Sequence, residues 1–114
     1  MRQPTFFDKE NPPRGAEAER VVLYALGDFQ GRGKVLAGRD LPFDRLRGAL
    51  RRAAEAFGVD ELGDEQAAAT LSALGANVRR VPVFFAKHPF RVVVPAALAE
   101  RAREYLKQLR QSEE

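Results

Sequence analysis

The sequence predicts an α+β fold with two layers, in which a four-stranded, mainly antiparallel sheet is covered on one face by helices in the order ββα-α-ββα. Two stretches rich in β-branched and aromatic residues each contain a short turn signal built from Gly or Pro. Each stretch leads into a segment with apolar residues every three or four positions, which is the spacing of an amphipathic helix. A hairpin followed by a helix is therefore predicted twice, over residues 20–57 and 77–110.

Length and composition fit one domain with its own core. The chain has 114 residues, of which 45% are hydrophobic and 31% are charged. We expect residues 1–18 to form a flexible, proline-containing N-terminal arm, residues 19–111 to form the single domain, and residues 112–114 to fray.

Composition also limits the functional classes. The chain has no Cys, which excludes disulfides, thiol nucleophiles and Cys-ligated zinc or iron–sulfur sites. No apolar run near the N-terminus is long enough for a secretory signal or a membrane span, so we expect a cytoplasmic protein without a membrane partner. Arg outnumbers Lys and thermolabile residues are scarce, which gives the composition a thermophile-like bias. The net charge of +3 permits an anionic partner but does not require one.

The first predicted hairpin lies within residues 20–38. Arg20–Phe29 carries a continuous apolar run with Val and Tyr side chains and predicts a strand. Gln30–Gly33 contains two Gly, which tolerate positive φ and predict a turn. Lys34–Gly38 is then the return strand, antiparallel to the first because the connection is short.

Two helices follow, predicted from their ends and their apolar stripes. Pro42 is favourable in the first turn of a helix and Gly58 at its end, so the first helix runs between them. Its apolar stripe consists of Phe43, Leu46, Leu50, Ala53 and Phe57. A shorter helix over residues 65–74 is capped by Asp64 and ended by Gly75.

The second hairpin and the last helix complete the predicted domain. Asn77–Phe85 predicts a strand, in which Pro82 indicates an edge position or a bulge. Residues 86–89 form the turn, Phe90–Val94 forms the return strand, and Pro95 opens the final helix. Ion pairs three residues apart are predicted on the polar face of that helix. They join Glu100 to Arg103 and Glu104 to Lys107.

The predicted strands are apolar on both faces. A sheet covered on one face should alternate apolar and polar residues, but Val21–Leu26 and Val92–Val94 do not alternate. The N-terminal arm, a helix, a second subunit or an apolar ligand must therefore cover the other face. We predict a homodimer through that face, because two-fold association is the commonest arrangement of oligomers. The predicted interface consists of Phe6, Phe7, Val22, Tyr24, Leu26, Phe84 and Val93.

The segment Gly27–Lys34 fails as a phosphate-binding P-loop. That loop needs four residues between its first Gly and the Gly-Lys pair, and Ser or Thr must follow. Here five residues intervene and Val35 follows, so we interpret the Gly residues as turn residues. Arg32 and Lys34 at the tip of the turn are candidates for weak contact with an anion.

Neither the single His nor the acidic cluster predicts a catalytic or metal site. His88 lies in the predicted turn of the second hairpin, where an exposed polar residue is the simpler interpretation. The cluster Asp60–Glu65 holds four carboxylates, which suit a helix N-terminus better than a calcium loop. No catalytic residue, metal or cofactor is predicted.

The second hairpin concentrates basic residues. The cluster consists of Arg79, Arg80, Lys87, His88 and Arg91. Arg79 and Arg91 are expected to lie near each other across the hairpin. Phe84, Phe85 and Phe90 are interspersed with the basic residues, a mixture typical of surfaces that bind single-stranded nucleic acid. The chain lacks the RNP pattern of such sheets, so core Phe with surface Arg is the competing interpretation.

These observations favour a non-catalytic binding or interaction module that forms a homodimer. The alternative is a nucleic-acid- or nucleotide-associated accessory protein, which would hold single-stranded nucleic acid or another phosphate-bearing ligand on the basic second hairpin. A second alternative is a small enzyme with its site at the open sheet face. The candidate titratable groups for that site are Asp28, Asp40, His88 and Tyr24.

Overall fold

The computed structural model describes residues 15–81 and 90–113. Within these ranges the chain forms four α-helices and one three-stranded antiparallel sheet. The helices are α1 (Gly15–Gly31), α2 (Arg47–Phe57), α3 (Asp64–Leu74) and α4 (Ala96–Glu113), and the strands are β1 (Asp40–Pro42), β2 (Asn77–Arg80) and β3 (Phe90–Val93). The general α+β class is confirmed, but the four-stranded sheet and the ββα-α-ββα order are wrong.

The first strand of the predicted hairpin is part of a helix. Arg20–Phe29 lies inside α1, and every residue from Val21 to Phe29 except Tyr24 is buried. The burial is this extensive because α1 is the central helix and packs against α2, α3 and α4. A helix enclosed on several sides is apolar around most of its circumference, so it shows no amphipathic stripe. An apolar run of this length fits a buried strand or a buried helix, and tertiary packing selects the helix.

The predicted turn at Gln30–Gly33 is present, with the Gly33 N–H donating to the Gln30 carbonyl at 2.9 Å, but it ends a helix and no return strand follows. Gly33 has a φ of +86°, a conformation that favours Gly, and it ends the helical path. Residues 34–38 form no regular strand and run past the end of β3. There the Gly38 N–H donates to the Val94 carbonyl at 2.8 Å, which anchors the segment to the sheet.

The start of the first predicted helix is a strand instead. Asp40–Pro42 forms β1 at the edge of the sheet, where Pro is tolerated because an edge strand leaves some N–H positions unpaired. Phe43–Leu46 forms a 3-10 turn, and α2 begins only at Arg47. The predicted apolar stripe is buried apart from its half-buried last residue, Phe57. Gly58 ends α2 in the left-handed conformation, as predicted.

Helix α3 has the predicted end and begins one residue earlier than predicted. It spans Asp64–Leu74, and Gly75 ends it with a φ of 112°. The N-cap position is occupied by Gly63 and not by Asp64. Asp64 accepts a hydrogen bond from Arg47 Nη1 at 2.8 Å, so its carboxylate ties α3 to α2.

The second predicted hairpin is confirmed in its described part. Strands β2 and β3 are antiparallel, and the order of the sheet is β1-β3-β2. Arg79 is paired directly with Arg91, so the two residues do lie near each other. The predicted turn and its neighbours lie outside the described residues, among them Phe84, Phe85, Lys87 and His88.

The two faces of the sheet differ in polarity. Leu41 and Val92 are paired across β1 and β3 on the buried face. Asp40, Arg79 and Arg91 lie on the opposite face, where they form ion pairs. The expectation that both faces are apolar is therefore wrong for the described strands, because much of the apolar sequence behind it belongs to α1.

The predicted dimer interface is affected by the same correction. Val22 and Leu26 are 0% and 1% exposed in the core, so their apolar surface is buried within one chain. Tyr24 and Val93 are half-buried. The other predicted interface residues, Phe6, Phe7 and Phe84, lie outside the described residues. The homodimer stays a prediction for light scattering to test, without support from an open apolar sheet face.

Helix α4 packs along α1 and completes the core. Leu98, Ala102 and Leu106 are buried, while Tyr105 and Leu109 are half-buried at its margins. None of the described helices has both the length and the apolar character needed to cross a membrane.

Candidate functional site

Arg79 and Arg91 of the predicted basic cluster share one carboxylate. Asp40 on β1 accepts a hydrogen bond from Arg79 Nη2 at 2.9 Å and another from Arg91 Nε at 3.1 Å. The three side chains are between 34% and 52% exposed, so these pairs contribute little to stability. Their consequence is electrostatic, because the carboxylate offsets one of the two positive charges.

Arg80 is also paired within the chain. Its Nη2 donates to Glu65 Oε2 on α3 at 2.9 Å. Its guanidinium lies 4.6 Å from the ring centre of Phe90, which is within cation–π distance. Phe90 is buried, in agreement with the interpretation that this Phe belongs to the core. The described part of the hairpin therefore has a weaker positive potential than its sequence indicates.

Arg32, predicted to contact an anion, takes part in a clamp between α1 and α2. The carboxylate of Asp28 is buried and accepts hydrogen bonds from Arg32 Nε at 3.2 Å and from Arg52 Nε at 2.8 Å. Arg52 belongs to α2, so one buried carboxylate holds the two helices together. Asp28 thus has a structural role, and the charge of Arg32 is partly offset.

Lys34, the other residue predicted at that tip, lines a groove of about 760 Å³ that we call the α1–α4 groove. One wall is the C-terminal half of α4, and the other is formed by the end of α1 and residues 33–37. Gln30 Nε2 donates to the Ala99 carbonyl at 3.0 Å, which fixes the end of α1 against α4. Gly27 lies at the base, where an added Cβ would be only 2.8 Å from the Ala102 carbonyl oxygen.

The α1–α4 groove is strongly positive. The cations that line it are Lys34, Arg103, Lys107 and Arg110. No carboxylate of residues 15–81 and 90–112 lines the groove, and its combined charge of four exceeds the net charge of +3 of the whole chain. Arg103 has only a long, exposed contact to Glu100 at 3.9 Å, as predicted in sequence. Within the described ranges the other three cations form no ion pair, so the predicted pair between Lys107 and Glu104 is not formed.

Three of these cations form one stripe along α4. Arg103, Lys107 and Arg110 are spaced by four and three residues, so they lie on the same side of the helix. At a rise of 1.5 Å per residue the stripe is about 10 Å long. Lys34 faces it from the opposite wall, beyond the C-terminal end of α1, where a cation also complements the helix dipole.

The groove has an apolar lining between its cations. Val35, Leu36, Ala37 and Leu106 contribute to it. Val35 is 62% exposed, and no other large hydrophobic side chain in the described part of the chain is comparably exposed. The site therefore offers a ligand both positive charge and apolar surface.

A smaller cleft of about 170 Å³ adjoins the stripe. It is lined by Tyr24, Ala56, Phe57, Leu109 and Arg110. The rings of Tyr24 and Phe57 meet edge to face, with their centres 5.7 Å apart. Arg110 lines both the groove and this aromatic cleft, so the two are neighbours across the end of α4.

The acidic cluster Asp60–Glu65 is engaged in ion pairs. Arg47 of α2 pairs with two of its carboxylates, and Arg80 pairs with a third. Among the residues that the structure describes, no group of three or more His, Asp or Glu is arranged to hold a metal ion.

Tyr105 lies in a separate hollow between α1 and α4. Burial raises the pKa of its hydroxyl above 10.0, and the nearby positive charge of Arg20 partly opposes this increase. The neutral phenol is therefore favoured, which suits a packing residue better than a general base at neutral pH.

Of the four groove cations, only Lys34 is predicted from sequence to contact an anion. The sequence predicts Arg103 and Lys107 in ion pairs on the surface of the last helix and Arg110 at the end of that helix. The spacing of Arg103, Lys107 and Arg110 by four and three residues indicates that they share one side of the helix, but basic residues on a solvated helix face often have the same spacing. Only the packing of α4 on α1 places the stripe opposite Lys34.

Comparisons with protein-family models, with curated proteins and with solved structures find no match for this chain. A proposal for its function therefore rests on the geometry of the described residues.

Proposed function

We propose that the protein is a non-catalytic binding module that holds a phosphate-bearing ligand in the α1–α4 groove. One observation carries the proposal: four cations line the groove, and no carboxylate of residues 15–81 and 90–112 lines it with them. Like charges gathered at one site repel one another, so such a cluster costs free energy unless an anion neutralises it. Phosphate is the anion that such clusters of Arg and Lys commonly bind.

The concave shape strengthens the electrostatic argument. Apolar walls of low polarizability around a charged cleft focus its field, which raises the local concentration of an anion and its rate of association. Arg supplies paired N–H donors to phosphate oxygens, and Lys supplies a compact charge. Arg103 and Lys107 provide one of each on adjacent turns of α4.

The second hairpin is a weaker candidate for the same role. Arg79 and Arg91 share Asp40, and Arg80 is held by Glu65. A ligand phosphate would have to compete with these carboxylates. The groove cations have no such competitor within the described ranges, apart from the long contact between Arg103 and Glu100.

Isothermal titration with inorganic tripolyphosphate at low salt tests the proposal. We expect saturable binding that weakens as salt is added, because contacts between phosphate and cations are screened. The double variant Lys107→Gln/Arg110→Gln should bind at least about tenfold more weakly, since each charged hydrogen bond contributes roughly 1.5–3 kcal/mol.

A matched control separates the site from the net charge. Arg45→Gln/Arg101→Gln also removes two positive charges, from exposed residues outside the groove, and should bind almost like the unsubstituted chain. Arg79→Gln/Arg80→Gln tests the hairpin in the same way. If all three double variants lose affinity equally, or if only the hairpin variant does, the groove is not the binding site.

A further inference from the structure

We infer that the ligand of the α1–α4 groove is single-stranded nucleic acid, with its phosphates along the α4 stripe and one base against the aromatic cleft. The inference rests on the proposed function and names the chemical class of its ligand. Two features of the site carry it: the exposed apolar side chain of Val35 in the cationic groove, and the aromatic pair next to Arg110.

The apolar part of the groove lining favours single-stranded over double-stranded nucleic acid. A duplex presents its phosphates on the outside and keeps its base faces stacked within. Single strands expose base faces as well as phosphates, and proteins bind them with a basic groove combined with apolar or aromatic platforms. Val35 lines the groove together with the cations and is exposed, so it provides such a surface.

The aromatic cleft gives the second feature. Tyr24 is half-buried and meets Phe57 edge to face, so part of its ring remains accessible at the cleft. Arg110 is the last cation of the stripe and also lines this cleft. A strand lying along α4 can therefore hold a phosphate on Arg110 while its neighbouring base reaches Tyr24.

Fluorescence polarisation with a labelled thymidine strand of about eight nucleotides provides the test, since single-strand sites span about 4–16 nucleotides. The same measurement uses a duplex of equal length, and tripolyphosphate serves as competitor. We expect the single strand to bind at least about tenfold tighter than the duplex and to be displaced by tripolyphosphate. With four cations engaged, the plot of log affinity against log salt should have a slope of about −2.8.

Two sets of variants separate the contributions. Lys107→Gln should reduce that slope to about −2.1, since one phosphate contact is lost. Tyr24→Leu should weaken single-strand binding by roughly 5- to 140-fold, the effect of losing one base–aromatic stack, and should leave tripolyphosphate binding unchanged. Tyr24→Phe keeps the ring and should bind like the unsubstituted chain.

Tyr24→Leu removes a packed ring, so an experiment on the unsubstituted chain guards against misfolding of this variant. The NMR signals of the Tyr24 ring should shift on addition of the thymidine strand and not on addition of tripolyphosphate. If those signals stay unmoved, or if the duplex binds as tightly as the single strand, the inference is overturned while the proposed function stands. If neither nucleic acid nor tripolyphosphate binds, both are overturned.

Discussion

Replacement of Gly27 by Ala adds one methyl group between α1 and α4. The new Cβ would lie 2.8 Å from the Ala102 carbonyl oxygen and 2.9 Å from Leu106 Cβ. Both atoms are fixed by the backbone of α4, so neither can swing away as the end of a long side chain could. The two helices must therefore move apart by several tenths of an ångström, which loosens a core that is otherwise closely packed.

The expected magnitude follows from two opposing effects. Overpacking of a core typically costs about 1–3 kcal/mol, and the rigid contacts here favour the upper part of that range. Gly→Ala inside a helix returns up to about 1 kcal/mol through helix propensity. We expect the free energy of unfolding of Gly27→Ala to fall by about 1–2 kcal/mol, and its Tm to fall by roughly 4–8 °C.

Guanidinium chloride unfolding followed by circular dichroism measures this change, and Gly48→Ala is the matched control. Gly48 is exposed in α2, and the nearest atom to its added Cβ is the Arg52 side-chain Nη1 at 3.4 Å. The same substitution should there be neutral or stabilising by up to about 1 kcal/mol. If Gly27→Ala proves as stable as the unsubstituted chain, the close contact between α1 and α4 is not as described.

Two further predictions concern titratable residues. Asp28→Asn should lower the free energy of unfolding by about 1–2 kcal/mol, because it weakens two charged hydrogen bonds to a buried group. The control Asp40→Asn, in the exposed ion pairs of the sheet, should lower it by less than about 1 kcal/mol. Equal losses of the two variants in denaturant unfolding would contradict the burial of Asp28. Tyr105 has a folded-state pKa above 10.0, so the stability it contributes as a neutral phenol is complete below about pH 10 and is lost as pH rises through the folded pKa. Between pH 9 and pH 11 the denaturant midpoint of unfolding should therefore fall further for the unsubstituted chain than for Tyr105→Phe. Equal falls for the two proteins would contradict the raised pKa of Tyr105.

Local signals determined several elements of the fold from sequence alone. Gly58 and Gly75 end their helices because a left-handed C-terminal residue strongly favours Gly. The apolar stripe of α2 and the antiparallel pairing of β2 with β3 were also predictable. In each case the signal lies within a short window, and one face of the element remains polar.

Helix α1 was not predictable in the same way, because its sequence reflects its neighbours. Three helices surround it, so its apolar residues extend around most of its circumference and mimic a buried strand. The error had a consequence for function. Val22 and Leu26 were assigned to an open sheet face, whereas they fill the core.

The candidate site, like the fold, could be predicted from the sequence only in part. The sequence by itself determined that the chain carries a surplus of positive charge and that Lys34 follows a Gly-rich segment. Tertiary structure decided which cations stand together. Lys34 and Lys107 are remote in sequence and line one groove only because Gly27, which has no side chain, lets α4 pack closely on α1. Tertiary structure likewise placed Asp40 between Arg79 and Arg91, so the basic hairpin is partly neutralised and the groove is not.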